Sequence, residues 1–274
     1  HDFTIRPGGA IVFPRLVAAE HRRPSHRGMI GTGIPEFDRL LGGGIEEGSS
    51  TVVLGPAGSG KSLICLQFIK EAIAKGGKAA FFAFDEELNL LIERAKPLGF
   101  DLATMRAAGK LSITQLDAAE ISPGEFAHSV RLAARDPAVK TVVIDSLNGY
   151  HASMPQENSL ILHMHELLQY LNRQGVSTFL TVAQSGFIGE MRSPVDITYL
   201  ADSVILLRFF EAHGQVRRAI SVVKKRTGFH EDTIREMRIK DGLIIGEPLA
   251  EFHGVMRGVP LIPPDSLAKT PRGE

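Results

Sequence analysis

The sequence predicts an α/β fold: a doubly wound, mostly parallel sheet flanked by helices, with antiparallel strands at its C-terminal edge. Three observations predict it. Short apolar runs of strand length alternate with longer amphipathic runs through most of the chain, the rhythm of βαβ units. A glycine-rich loop, Gly55 to Ser62, joins one such strand directly to one such helix. After Asp202 the strands follow one another without helices between them, as hairpins do.

The bulk numbers agree with one large globular domain or two small ones. The chain has 274 residues, 43% of them hydrophobic and 23% charged, with a formal net charge of zero. No apolar run approaches the ~18 residues of a membrane span. A neutral chain lacks the basic footprint of a nucleic-acid binder. Cys65 is alone, so no disulfide framework exists and a reducing cytoplasm is the expected setting. On the helix after the glycine loop, it reads as buried packing. There is no signal peptide, and the opening on His1 rather than Met suits a piece of a longer protein.

Taken in order, His1 to Leu16 reads as strand-rich. It shares H-x-x-T-I-R, a glycine turn and an apolar run with the stretch that begins at His230. One match is a weak repeat, as expected if residues 1–16 end a preceding, similar domain. Val17–Gly28 is polar and Pro-broken, a linker. The main domain, 29–262, opens with a short helix at Pro35–Leu41 that Gly42–Gly44 terminates. Strand Thr51–Leu54, the glycine loop and a helix from about Lys61 follow. Ala79–Phe84 is a buried strand, ending in the acids Asp85, Glu86 and Glu87. Leu88–Leu98 is a helix and Leu111–Leu116 a strand. Ser122-Pro-Gly-Glu125 carries a cap, a first-position proline and a third-position acid, so a helix starts there and runs to about Ala134. Lys140–Ser146 is a strand containing Asp145. Glu157–Gln174 is a helix with Leu160, Met164, Leu167, Leu168 and Leu171 on one stripe. His163 and His165 lie on it without a third ligand nearby, so they read as ordinary core or surface histidines. Strand Val176–Val182 ends at Gln184, and Gly186–Asp196 reads as a mobile loop. Three more strands follow: Asp202–Phe210, Arg217–Lys225 and Thr233–Ile239. Residues 263–274 form a flexible tail.

The chemistry begins at Gly55-Pro-Ala-Gly-Ser-Gly-Lys-Ser62, which fits the phosphate-loop pattern G-x-x-x-x-G-K-[ST]. Glycines let backbone N–H groups of Gly55, Pro56 to Gly60, Lys61, Ser62 and Leu63 curl around phosphate oxygens, proline excepted, and the new helix adds its positive end. Lys61 can reach the β- and γ-phosphates of a nucleotide such as ATP, and the Ser62 hydroxyl can bind Mg²⁺. Asp145, at the carboxyl end of a buried strand, is the second expected Mg²⁺ ligand. Hydrolysis also needs a group that directs water. Asp85 or Glu86 can supply it, on a strand expected beside the phosphate-loop strand. Glu87 suits the start of the next helix. Gln184 can sense the γ-phosphate or cap a loop. Lys224, Lys225 and Arg226 form the densest basic knot, with Lys224 and Arg226 on one strand face. They are either a solvated strand end or a finger into a nucleotide, its own or a neighbour's.

Together these motifs resemble the RecA-type ATPases, and specifically the KaiC family of circadian-clock ATPases. The carriers are Thr32–Ile45 (TGIPEFDRLLGGGI), Gly55–Ser62, Phe82–Glu87 (FAFDEE), Val142–Ser146 (VVIDS), Val222–His230 (VVKKRTGFH) and Phe252–Pro260 (FHGVMRGVP). The resemblance covers nearly the whole chain. It implies a RecA-like fold and a second domain of a tandem pair, stacked as two hexameric rings, with residues 1–16 the end of the first. It implies ATP between adjacent subunits, Asp85 and Glu86 beside the γ-phosphate, and Lys224 and Arg226 reaching in from the neighbour. It also implies autophosphorylation on an adjacent Ser-Thr pair, whose place reads Thr198-Tyr199 here. Thr198 is the matching phosphoacceptor, while Tyr199 and Asp85 depart from the family's residues.

The leading expectation is a Mg²⁺-dependent ATPase whose cycle drives conformational signalling in a homo-hexamer, with a signalling protein as partner. A DNA-handling recombinase or helicase is the alternative, with Arg192 in its DNA loop. A nucleotide-gated scaffold with incidental hydrolysis is a third.

Overall fold

A computed structural model describes residues 2–14, 28–84, 86–152, 157–186 and 198–257. Asp85, the linker 17–27, the loop 187–196 and the tail 263–274 lie outside the described residues. The chain opens with a hairpin, β1 (Asp2–Arg6) and β2 (Gly9–Phe13). A small ladder, β3 (Met29–Ile30) with β4 (Ile45–Glu46), brackets α1 (Pro35–Leu40). The body follows as β5 (Ser50–Gly55), α2 (Lys61–Ala74), β6 (Lys78–Ala83), α3 (Leu88–Ala95), α4 (Leu102–Ala107), β7 (Leu111–Gln115), α5 (Pro123–Ala134), β8 (Val139–Asp145), α6 (Leu147–Ala152), α7 (Glu157–Arg173) and β9 (Ser177–Ala183). It finishes as β10 (Ser203–Ala212), β11 (Gln215–Lys225), β12 (Arg235–Ile239) and β13 (Leu243–Pro248).

Nine strands form one sheet in the order β13-β12-β11-β10-β5-β9-β8-β6-β7. The six from β10 to β7 run parallel and the other three antiparallel. This is the expected doubly wound sheet with an antiparallel C-terminal edge. Successive side chains of a strand point to opposite faces, and the two faces carry two cores. On one, Val52, Leu206 and Ile144 pack with Phe126 of α5, Tyr150 of α6 and Leu160, Met164, Leu167, Leu168 and Leu171 of α7. On the other, Val53, Val143 and Ile205 pack with Phe37 of α1, Phe68 and Ile69 of α2 and Leu91 of α3. The leucine–methionine stripe read from the sequence is therefore the buried face of α7. Cys65 is fully buried on α2, and burial pushes its thiol pKa well up, as befits packing.

One expected adjacency is corrected. The Ala79–Phe84 strand does not lie beside the phosphate-loop strand, because β9 and β8 stand between β5 and β6. β5 has β9 on one edge and β10 on the other, so both its edges are taken. The chain crosses from α2 over two strand positions to β6, and later segments fill the gap. β6 is instead held against β8, with Ala83 opposite Asp145 and the Phe84 N–H donating to the Asp145 carbonyl at 2.7 Å.

Local caps explain most boundaries. The Ser122 hydroxyl accepts from the Glu125 N–H at 3.2 Å, as its sequence pattern predicts. α3 ends earlier than expected and passes into a 3-10 turn, Lys96–Leu98, where Pro97 has no N–H to continue the helix. α4 was not foreseen; Asp101 caps it through the Thr104 N–H at 3.1 Å. The opening hairpin docks on α5, where Asp2 accepts from the Gly124 N–H at 2.6 Å and Phe13 packs on His128 with ring centroids 5.5 Å apart.

His163 packs near Tyr150, ring centroids 5.9 Å apart, while His165 is exposed. Burial lowers the His163 pKa to about 4, against a smaller upward pull from Asp2. An unfolded histidine titrates near ~6.5. Between those values the folded chain binds fewer protons than the unfolded one. The stability contributed by the neutral ring is thus complete above about pH 6.5 and lost as pH falls toward 4. Urea unfolding should show a loss of up to about 3 kcal/mol across that window. His163→Leu should flatten the slope, and an unaltered slope would contradict this assignment.

Candidate functional site

Every residue of β5 is buried, so the strand is a rigid base for the loop that leaves it. Gly55 sits too close to its surroundings for any side chain: a Cβ there would lie 2.8 Å from the Ser59 Oγ and 2.9 Å from Leu207. Gly60 precedes α2 with φ of 105°, a left-handed conformation that favours glycine. A Cβ at Gly60 would also come within 3.1 Å of Ile239 and 3.2 Å of Met237. Two glycines thus set the turn that aims α2 at the loop. Among the described residues no side chain caps α2, and its first turn holds no acid. Its first N–H groups and its positive end are therefore open to an anion.

Lys61 starts α2 and folds back over the loop, donating to the Gly55 carbonyl at 3.0 Å and the Pro56 carbonyl at 2.8 Å. Burial lowers its pKa, and the negative charge of Asp145 offsets part of that. The Ser59 hydroxyl is buried without a hydrogen-bond partner among the described residues. Gly58, Gly60, Lys61, Ser62 and Leu63 line a cavity of ≈ 210 Å³ whose other walls are Arg94, Leu98 and Ile239. Pro56 is buried at the base of the loop and Ala57 is exposed at its crest.

Asp145 ends β8, and its Oδ1 accepts a hydrogen bond from the Thr181 hydroxyl on β9. Its charge acts on Lys61, Cys65 and Glu86, in each case less than burial does. Ser62 and Asp145 offer a hydroxyl and a carboxylate, the hard oxygens Mg²⁺ takes. Among the described residues no three His, Cys, Asp or Glu gather as a metal cage. A metal here would depend on further oxygens from phosphates and water, which suits Mg²⁺.

Glu86 follows β6, and its Oε2 accepts from the Arg94 Nη2 at 2.8 Å. Burial raises its pKa, Arg94 pulls it down, and Asp145 raises it further. Gln184 follows β9, its N–H donating to the Gly55 carbonyl at 3.1 Å. Its side-chain oxygen is buried without a partner among the described residues. Glu86, Asp145, Gln184 and the loop all stand at the carboxyl ends of parallel strands. There α/β sheets bind ligands.

Lys224 and Arg226 are not brought to that end. Lys224 pairs with Val204 and Lys225 with Ser203, and Ser203 pairs with Thr51, near the start of β5. The Arg226 N–H donates to the Asp202 carbonyl, and the Asp202 N–H to the Ser50 carbonyl, both at 2.8 Å. Lys224 donates to the carbonyls of Thr198 and Ala201, each at 2.8 Å. Arg226 donates to the Tyr199 carbonyl at 2.7 Å and meets Asp202 at 3.4 Å. Lys225 points to the opposite face, onto the Leu41 carbonyl at 2.6 Å. The expected split of the three cations between faces is what the strand does.

Sequence reasoning missed Thr181, Asn148 and Arg94. Thr181 is wholly buried in an apolar strand, and a hydroxyl there needs a partner, the one signal that could have found it. Asn148 brackets the end of β9, donating to the Ala183 carbonyl at 3.0 Å and accepting from its N–H at 2.7 Å. Arg94 had no signal beyond its charge.

Comparison with known proteins agrees with this geometry. The family model described as "ATPase: KaiC" matches residues 30–249. The chain is similar to the circadian clock protein KaiC3 of Synechocystis sp., 29% identical, with 94% of this chain and 52% of that protein covered. It is similar to the circadian clock oscillator protein KaiC of Prochlorococcus marinus, 28% identical, at 94% and 52% coverage. The corresponding KaiC of Synechococcus elongatus is 27% identical, at 95% and 50% coverage. The chain thus spans about half the length of the curated relatives it matches. A phosphate loop, a strand-end aspartate and the match across the body of the domain lead to one conclusion: this chain belongs to the KaiC ATPase family.

Proposed function

We propose that the chain binds Mg²⁺–ATP at its phosphate loop and hydrolyses it between adjacent subunits of a homo-hexameric ring. The observation that carries this reading is the position of the cations. The loop leaves the end of β5 at Gly55, whereas Arg226 is level with its start at Ser50. Five residues of strand separate the two levels, roughly 17 Å at ~3.3 Å per residue. Two inter-strand spacings, roughly 10 Å, add to that, because β10 lies between β5 and β11. That separation is beyond the reach of either side chain, and it supports a role for Lys224 and Arg226 at a neighbour's loop rather than at their own. A head-to-tail contact of that kind closes into a ring when the rotation between neighbours is a whole fraction of a turn, one sixth for a hexamer.

In this reading Lys61 and the loop amides hold the phosphates, and Ser62 and Asp145 hold Mg²⁺. When bound, Mg²⁺ neutralises charge on the phosphoryl oxygens. Glu86, with Asp85, directs the attacking water, and Gln184 reports on the γ-phosphate. Lys224 and Arg226 of the neighbour counter the charge that develops in the transition state, a contribution on the order of 10³-fold. The cycle drives conformational signalling to a protein partner in the cytoplasm. Thr198, in the turn that Lys224 and Arg226 hold, is the acceptor if the γ-phosphoryl passes to the protein instead of to water. Residues 1–16 belong to a preceding similar domain in this reading, whose support is that Asp2–Phe13 and Arg235–Pro248 each form an antiparallel hairpin, with the shared H-x-x-T-I-R running through the first strand of one and leading into the first strand of the other.

Lys61→Ala should weaken ATP binding by at least about tenfold, the loss expected for a charged hydrogen-bonding group; unchanged affinity in a filter-binding assay would sink the phosphate-loop assignment. A mixing experiment tests the shared site. Glu86→Gln subunits keep the cations, and Arg226→Ala subunits keep the acid. If the site is shared, equal mixtures should regain about one quarter of parental turnover, because random neighbours complete that fraction of interfaces. Mixtures no more active than their components would mean the two residues act within one subunit or not together.

A further inference from the structure

Arg94 belongs to none of the motifs that carry the family resemblance, yet it stands at the site. It lies in the last turn of α3, where a cation is ordinarily explained by the helix dipole. Its side chain does not simply point to water. The guanidinium reaches back past the start of its own helix to Glu86, Nη2 to Oε2 at 2.8 Å. The same side chain forms a wall of the cavity lined by Gly58, Gly60, Lys61 and Ser62. It thus links the acid after β6 to the mouth of the phosphate loop.

The pair is poorly suited to stabilising the fold. Half of the Arg94 side chain is exposed, and exposed ion pairs contribute little because solvent screens them. Glu86 is different: its side chain is only 22% exposed, and it shares the field of Asp145. A carboxylate in that place is short of water and repelled by a like charge, so an ionised, directed Glu86 needs a cation. Among the causes that act on its protonation, Arg94 is the one that favours the charged form. The planar guanidinium also restricts where the carboxylate can turn, which a mobile ammonium does less well.

We infer that Arg94 is a positioning residue: its ion pair with Glu86 fixes that carboxylate at the mouth of the phosphate loop, in the orientation that directs water to the γ-phosphate. The inference rests on the reading of Glu86 as the water-directing acid. Arg94 acts through Glu86, so its loss affects the chemical step more than nucleotide binding.

The test is steady-state ATP hydrolysis by the assembled protein carrying Arg94→Ala, Arg94→Gln or Arg94→Lys, beside Glu86→Gln. The expected result is a fall in kcat of about 10- to 100-fold for Arg94→Ala, the scale of a small misplacement of a catalytic group. KM for ATP should stay within about twofold, and Arg94→Lys should recover part of kcat while Arg94→Gln does not. The thermal midpoint should hold across the series. A kcat within about twofold of the parent overturns the inference, as does a raised KM at unchanged kcat. A fall in kcat that tracks a lowered midpoint and is not recovered by Arg94→Lys overturns it as well. If Glu86→Gln itself is fully active, the reading underneath has failed. If Glu86→Gln is inactive and Arg94→Ala is active, only the role of Arg94 has failed.

Discussion

A strand has two ends, and β5 carries the phosphate loop at only one of them. That polarity governs the rest of the molecule. Parallel neighbours bring Asp145, Glu86 and Gln184 to the carboxyl end because their strands run the same way as β5. The antiparallel return from β10 to β11 carries Lys224 and Arg226 to the other end. The loop, Asp145, Glu86 and Gln184 gather on one edge of the domain, and Lys224 and Arg226 on the opposite edge. A chain built this way has complementary edges, and two copies set head to tail would bring the halves together.

Charge balance within the loop edge follows from burial. Lys61 is buried against the loop carbonyls, and Asp145 lies close enough to favour its charged form. Burial and the same aspartate disfavour charge on Glu86, and Arg94 opposes them in part. Thr181 satisfies one oxygen of Asp145 from below. At this edge the hydroxyl of Ser59 and the side-chain oxygen of Gln184 are left buried without a partner among the described residues. The Ser59 hydroxyl, beside an open helix end, is a donor that suits an anionic ligand, while the Gln184 oxygen can accept from a water or a hydroxyl.

Much of the fold was legible in the sequence because period and punctuation agreed. The α7 stripe, the Ser122 cap and the strand–loop–helix of residues 51–74 each carry a local physical signal, and each took the expected form. Strand order is not local, and there the expectation failed: nothing in Ala79–Phe84 says that two later strands will be inserted between it and β5. The glycine turn before α2 and the place of Asp145 at a strand end were legible for the same reason as the caps, since each follows from a local pattern of residues. Thr181 and Arg94 were not, because their roles depend on contacts across 36 and 8 residues of chain. Lys224 and Arg226 were found as a basic knot, but only strand polarity says which end of the sheet they occupy.

The central claim is that one chain holds nucleotide but needs a second to hydrolyse it. The most direct measurement is turnover per subunit against protein concentration, with light scattering on the same samples and nucleotide binding measured in parallel. The account predicts binding that is retained on dilution to single subunits, and turnover that collapses over the range where assemblies dissociate. Turnover per subunit that stays constant in samples shown by scattering to be monomeric would contradict it.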